Sequence, residues 1–278
     1  MNLPNFTKPP GAVAIDLDGT LLNSQTLLSE RNRKAVEVCI DWGIPVIIAT
    51  QRAARTVRRI LGDEFCKYCS MILLNGAFAQ ATSPLSGYVR ELMESSLVKD
   101  ITEAVLRIDS RVRILTETGE NEFGTNKPLD PDELWKVNAA KPEMQLSLDA
   151  VTTNVVKILV DGQSRDLSSM ITAISQRFGD LVSVVPALGN TIINITNMDV
   201  SKPSTLNKLL KTQQIGMDDT VAIGDDIPDL EMLTACGISV AMENAIPEVK
   251  AVAKYQTASN NEDGVAFVLE EILSSFTK

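Results

Sequence analysis

Short runs of apolar, often β-branched residues alternate along the chain with stretches whose apolar positions recur every three or four residues. This is the pattern of strands joined by helices in a parallel sheet. The first run predicts a strand over 11–16, followed by a helix that Ser29 caps and Gly43 stops, with Ala35, Val36, Cys39 and Ile40 on one face. Residues 44–50 read as a fully buried strand, 53–61 as a helix and 70–75 as a third strand. Together they form a β-α-β-α-β unit, so the fold class is α/β, built on a Rossmann-like parallel-sheet core.

From about residue 83 the strands alternate apolar and polar positions, as in a sheet solvated on one face. A second, α+β domain is expected there, with helices over 97–108 and 167–178 and strands over 112–118, 155–161, 181–186 and 191–196. The first pattern then returns: helix 204–210, buried strand 220–224, helix 230–236, strand 238–242, and closing helices near 247–253 and 264–273. One domain is thus expected inside another, residues 83–197 being inserted between the two parts, 1–82 and 198–278, of the first.

Composition narrows the function. The 278 residues are 44% hydrophobic and 22% charged, enough for a sizeable core, and the net charge of -10 without a basic run excludes a nucleic-acid partner. The N-terminal segment has no basic region followed by an apolar stretch, and no run approaches the roughly 20 apolar residues that span a bilayer. A cytoplasmic protein with no membrane partner is expected. Four cysteines are too few for a disulfide framework, and the pair Cys66 and Cys69 reads as ordinary buried thiols. The chain has no histidine, which excludes Ser-His-Asp and Cys-His catalysis and His-ligated zinc. Acid and base work must fall to Asp, Glu, Lys, Tyr or Cys.

The chemistry concentrates at strand ends. Asp16-Leu17-Asp18-Gly19-Thr20 stands where the first strand stops, the edge at which open parallel sheets bind ligands, and Gly19 permits a turn that lets both carboxylates converge. A calcium loop fails on spacing, because Leu27 occupies the twelfth position, where a bidentate Glu is required. Gly224-Asp225-Asp226-Ile227-Pro228-Asp229 follows another buried strand and brings more carboxylates to that edge. Alone it reads as a solvated acidic loop. Beside Asp16 and Asp18 it makes an oxygen-only set suited to a hard divalent ion, Mg²⁺. Thr50, Arg52 and Lys202 add one hydroxyl and two cations at the same sheet ends, which is what a phosphoryl group needs.

The order D-x-D-G-T, strand-end Thr, Lys, then G-D-x-x-x-D resembles the haloacid-dehalogenase-like superfamily. The matching positions are Asp16, Asp18, Gly19 and Thr20, then Thr50, Lys202, and Gly224, Asp225 and Asp229. The large insertion, Asn75-Gly76-Ala77 and the segment 258–266 resemble its Cof-type subfamily, which carries a C2-type cap domain. The chain departs from that subfamily at Gln51, Pro203, Pro228 and Glu243. The resemblance implies a phosphatase in which Asp16 attacks phosphorus and Asp18 serves as acid and base. Mg²⁺ would be held by Asp16, the Asp18 backbone carbonyl and Asp225; Thr50, Arg52 and Lys202 would bind phosphate, and Asp229 would support them. The cap would select a small phosphorylated metabolite such as a sugar phosphate, pyridoxal phosphate or flavin mononucleotide. A phosphomutase of the same superfamily shares every motif but transfers phosphate between sugars, and a non-catalytic binding module would release none. A receiver-type signalling domain leaves the insertion unexplained.

Overall fold

The computed structural model describes residues 1–136 and 138–274. The chain divides into two compact units, one of Met1–Gln51, Val57–Val89 and Ser201–Lys278, the other of Arg52–Thr56 and Arg90–Val200. In chain order the first part contains β1 (Ala12–Asp16), α1 (Glu30–Asp41), β2 (Val46–Ala49), α2 (Ala54–Leu61), α3 (Asp63–Cys66), β3 (Ser70–Leu73), β4 (Phe78–Gln80) and β5 (Tyr88–Arg90). The middle part contains α4 (Ser95–Ile108), β6 (Arg113–Glu117), β7 (Phe123–Thr125), α5 (Pro131–Lys136), β8 (Gln145–Ser147), β9 (Lys157–Asp161), α6 (Ser168–Phe178), β10 (Val182–Ala187) and β11 (Ile192–Asn197). The last part contains α7 (Lys202–Lys211), β12 (Thr220–Gly224), α8 (Leu230–Ala235), β13 (Ile238–Ala241), α9 (Pro247–Val252), β14 (Tyr255–Gln256) and α10 (Gly264–Ser274).

In the first unit eight strands lie in the order β14-β13-β12-β1-β2-β3-β4-β5. The six from β14 to β3 are parallel, and β4 runs antiparallel to β3. Every residue of β1, β2, β3 and β12 is buried, which is why these strands read as continuous apolar runs: helices cover both faces of such a sheet. From β1 the chain moves first to β2 and β3 on one side, then returns to β12 and β13 on the other. The strand order therefore reverses between β1 and β12, and the crevice at their carboxyl ends is the place for a ligand. Across α1 and α10, Arg31 holds Glu270 with two hydrogen bonds and lies over the Phe267 ring, which fixes the C-terminal helix beside the first one.

The second unit has a six-stranded sheet in the order β10-β11-β9-β6-β7-β8, antiparallel except for the β7–β8 pair. Ile114, Ile158, Val160, Ile193 and Ile195 pack with Val98, Ile101, Val105, Met170 and Ile174 of α4 and α6, so one face of the alternation forms the core. The other face carries a smaller apolar cluster of Leu115, Phe123, Leu129, Leu134 and Ala140. It also carries a buried polar group: Glu117 sits opposite Lys157 across β6 and β9 and takes two hydrogen bonds from Arg55, at 2.6 and 2.8 Å. Burial pulls the Lys157 amine down to about 8, with Glu117 opposing.

The expected strands and long helices are present, shifted by a few residues at their ends. The third strand stops at Leu73 rather than at 75, because Leu74 and Asn75 adopt positive φ. The segments not foreseen, β4, β5, β7, β8, β14, α3 and α5, are two to six residues long, too short for a periodicity to show.

Breaking the Arg55–Glu117 pair from one side leaves a buried charge without its partner. Glu117→Leu is expected to destabilise the protein by about 3–5 kcal/mol, and the pair Arg55→Met with Glu117→Leu to recover part of that loss, the buried Lys157 losing the carboxylate opposite it. Guanidinium unfolding midpoints of the three proteins check this.

Candidate functional site

β1 and β12 lie side by side with Ile15 opposite Ile223, so Asp16 closes one strand beside Gly224, the last residue of the other. β2 flanks β1 on its other side with Ala49 opposite Asp16, which puts Thr50 at the same edge. Thr50 is buried, donates its N–H to the Ile72 carbonyl and accepts the Asn75 N–H, so its backbone is fixed on both sides. The parallel register alone thus gathers Asp16, Thr50 and Asp225.

Lys202 reaches the same point from the first residue of α7. Ser201 caps that helix, its side-chain oxygen accepting the Ser204 N–H, and Pro203 lies in the first turn, where a missing N–H has no partner to lose. The subfamily departure at Pro203 is therefore accommodated. Gly76 holds the helix start from outside: its φ is +102°, and a Cβ there would run into the Ser201 backbone. Its carbonyl accepts the Thr205 hydroxyl at 2.7 Å.

The Lys202 side chain, 1% exposed, ends between two carboxylates, Asp16 Oδ1 at 2.5 Å and Asp229 Oδ1 at 2.7 Å. The other Asp229 oxygen accepts the backbone N–H of Asp225 at 3.0 Å and of Asp226 at 3.3 Å. Asp229 thus binds the lysine and the loop that bears Asp225 in one step. Pro228 sits in the short 3₁₀ turn Ile227–Asp229, again in the first turn after a capping Asp226, so this departure leaves the loop's hydrogen bonds in place. Asp225 Oδ1 accepts the hydroxyl of buried Thr20 at 2.7 Å. Gly19, at φ +82°, lies so close that a Cβ would collide with the Asp225 carboxylate. Thr20 belonged to the recognised motif, but its contact with Asp225, 205 positions away, could not be read from local sequence.

Among the described residues, Asp16, Asp225 and Asp229 each offer a carboxylate oxygen within 4.8 Å of the others. The charges do not balance: three carboxylates face one ammonium. Burial raises Asp16 well above its ordinary value, the Asp229 charge adds to this, and Lys202 opposes it. Burial likewise pushes Asp225 up to about 6, against the Thr20 hydrogen bond and helped by Asp229 and Asp226. Burial alone would lower Lys202, but Asp16 and Asp229 outweigh it and hold the amine charged. A group short of two positive charges, with oxygen donors only, fits a hard divalent cation. Both Asp229 oxygens are already engaged, which leaves Asp16 and Asp225 as the side chains best able to bind one.

Asp18 lies exposed on the loop after β1, outside the three-carboxylate group. Arg52 is half-buried at the start of the segment Arg52–Thr56, which belongs to the second compact unit. Of the expected site residues the first unit's fold therefore gathers Asp16, Thr50, Lys202, Asp225 and Asp229 at one sheet edge, with Asp18 on the adjoining loop.

Buried carboxylates, one ammonium and no imidazole at a topological switch point define a site for an anionic, oxygen-rich ligand together with a hard cation. Comparison with known proteins gives the same class. A family model for haloacid dehalogenase-like hydrolases matches residues 13–269. A 5-amino-6-(5-phospho-D-ribitylamino)uracil phosphatase of Bacillus subtilis is 31% identical over 94% of this chain and 98% of its own length. A phosphoglycolate phosphatase of Methanothermobacter thermautotrophicus is 29% identical over 92% and 95%. A solved haloacid dehalogenase-like hydrolase from Bacteroides thetaiotaomicron superposes with a TM-score of 0.78 at 27% identity, covering 95% of this chain and 99% of that one. The chain belongs to the haloacid dehalogenase-like hydrolases, and within them to the enzymes that hydrolyse phosphoric monoesters. The family's phosphatases use a divalent metal, and the aspartate cluster is suited to one. No helix among the described residues is long and apolar enough to cross a membrane.

With Asp225 pushed up to about 6, the folded protein without metal holds on that carboxyl, in the window from the ordinary carboxylate value, 3.8, to about 6, a proton that the unfolded chain has lost, and Asp16 is shifted in the same direction. Stability from this source is full below that window and is lost as pH rises through it, whereas a bound cation replaces the protons. The rise in Tm on adding a divalent cation is expected to be small at about pH 5 and full above about pH 7. Scanning fluorimetry with and without EDTA reads it, and an equal rise at both pH values would contradict the assignment.

Proposed function

We propose that the protein is a Mg²⁺-dependent phosphatase that hydrolyses a small phosphorylated metabolite through an aspartyl-phosphate on Asp16. The observation that carries this reading is the buried Asp16 carboxylate at the switch point, held at 2.5 Å by Lys202 in a cluster short of positive charge. Asp16 attacks phosphorus in line and the ester oxygen leaves, taking a proton from Asp18. In the second step Asp18 accepts a proton from water as it attacks the aspartyl-phosphate, freeing Asp16 and inorganic phosphate. No histidine is needed.

The Lys202 ammonium has three donors, of which Asp16 and Asp229 take two, leaving one for a phosphoryl oxygen. Thr50 and Arg52 supply further donors to the phosphoryl group, and Asp229 keeps the lysine and the Asp225 loop in place. Asp16, the Asp18 carbonyl and Asp225 would hold Mg²⁺, which would supply the charge neutralisation that an anionic carboxylate needs to approach an anionic ester. The inserted part of the chain, Arg90–Val200, acts as a C2-type cap that excludes water and selects the leaving group. Four cysteines, all buried and unpaired, fit a reducing cytoplasmic compartment.

The full-length similarity to the Bacillus enzyme puts 5-amino-6-(5-phospho-D-ribitylamino)uracil first in a substrate panel. Phosphoglycolate, sugar phosphates, pyridoxal phosphate and flavin mononucleotide follow it. Phosphate release from at least one ester is expected with Mg²⁺ and not with EDTA. Asp16→Asn is expected to abolish turnover and Asp18→Asn to lower kcat by about 10²–10⁴-fold. Turnover by Asp16→Asn would rule out the covalent route.

A further inference from the structure

Two segments, 241–245 and 258–266, take no part in the chemistry above. Both lie in the first compact unit, and both meet the loop that follows Asp16. We propose that Asn244 is a positioning residue: its side-chain amide fixes the Asp16–Thr20 loop relative to Asp225, and so sets the spacing of the oxygens that bind the metal. The proposal rests on the phosphatase reading and assigns a part in it to a residue outside the reacting groups.

The turn that carries Asn244 is built onto the Asp225 strand. Met242 donates its N–H to the Gly224 carbonyl at 3.1 Å, Ile246 donates to the Asp225 carbonyl at 3.0 Å, and Ala245 closes the turn onto Met242 at 3.0 Å. From this footing Asn244 Nδ2 reaches the Gly19 carbonyl at 2.8 Å. Its Oδ1 accepts the Asn260 N–H, also at 2.8 Å. A carbonyl on one side and an N–H on the other allow only one orientation of the amide, because the flipped form would face donor to donor. The turn is joined to the C-terminal segment a second time through the Glu243 N–H and the Ala258 carbonyl, at 3.2 Å.

That segment grips the same loop further along. Asn260, itself buried, donates Nδ2 to the Leu22 carbonyl at 2.9 Å, and Asn261 Oδ1 accepts the Ser24 N–H at 3.0 Å. Three asparagines from two distant stretches therefore hold the loop at residues 19, 22 and 24.

The need for such a hold follows from Gly19. A glycine enters positive and negative φ with similar ease, so the peptide groups on either side of it can rotate unless something selects one state. The peptide before Gly19 carries the Asp18 carbonyl proposed as a metal ligand, and the one after it carries the carbonyl that Asn244 holds. Rotation of the first would turn the ligand carbonyl away. Asn244 makes the selection from the turn that also fixes the Asp225 backbone, so the two sides of the metal site share one anchor.

Asn244 is exposed, so water can replace it at the Gly19 carbonyl, and its removal is expected to cost little stability. The experiment is Asn244→Ala in the full chain, with kcat and KM on the best substrate, Mg²⁺ affinity by titration calorimetry without substrate, and Tm. The expected result is kcat about tenfold lower and Mg²⁺ binding about tenfold weaker, with KM within about twofold and a near-native Tm. Should that variant fold poorly, Asn244→Asp keeps the acceptor for Asn260, replaces the donor to Gly19 with a charged acceptor that repels that carbonyl, and is expected to lower kcat at least as much. A folded variant with kcat and Mg²⁺ affinity both within about twofold of wild type would overturn the proposal. Wild type that binds Mg²⁺ yet releases phosphate from no ester would instead refute the phosphatase reading, and the calorimetric comparison would still decide the role of Asn244.

Discussion

One ammonium group, Lys202 Nζ, sits between Asp16 and Asp229 where almost no water reaches, and much of the first unit is arranged to keep it there. Taking a lysine out of water costs several kcal/mol, and the position is unfavourable for a second reason: Lys202 opens a helix, whose N-terminal end already carries partial positive charge. A residue that breaks a local rule in this way is held by its surroundings, and positions of that kind are usually functional. Here the surroundings are two carboxylates, a serine cap and a glycine that lets the helix start approach the turn after β3. The arrangement remains underneutralised, so a lysine alone cannot satisfy it. The same imbalance that strains the protein without metal is what draws in a cation and then an anionic ester.

Asp229 shows how one side chain can serve several needs. One of its oxygens steadies the lysine, and the other closes the loop bearing Asp225 by taking two backbone N–H groups. Asp16 and Asp225 are left with ligand capacity because Asp229 is occupied. Three aspartates of similar chemistry therefore divide into two that can hold metal and one that holds protein, and hydrogen-bond partners decide which is which.

Much of this was legible in the sequence because fully buried parallel strands write themselves as unbroken apolar runs, and because β1 ends on Asp16 while Thr50 and Asp225 directly follow β2 and β12. The order of strands in the sheet then does what no local pattern can, bringing residues some two hundred positions apart to one edge. Less was legible where contacts join segments that carry no periodic signal. The Thr20–Asp225 and Asn244–Gly19 hydrogen bonds link loops, the Arg55–Glu117 pair joins the first turn of α2 to the end of β6, and a single Thr, Asn or Arg at such a position has many bland explanations. The departures at Pro203 and Pro228 cost the backbone little. Both prolines stand in first turns, where the backbone has no hydrogen bond to give up.

The contact between Gly76 and Ser201, locked by the Thr205 hydroxyl, has a consequence for how such an enzyme diversifies. The point at which the chain rejoins the first unit is set by that unit's own backbone and owes nothing to the hundred or so residues that intervene. Lengthening or exchanging those residues adds a loop-closure cost that grows only with the logarithm of their number. The intervening residues can therefore change in length while the lysine stays where it was.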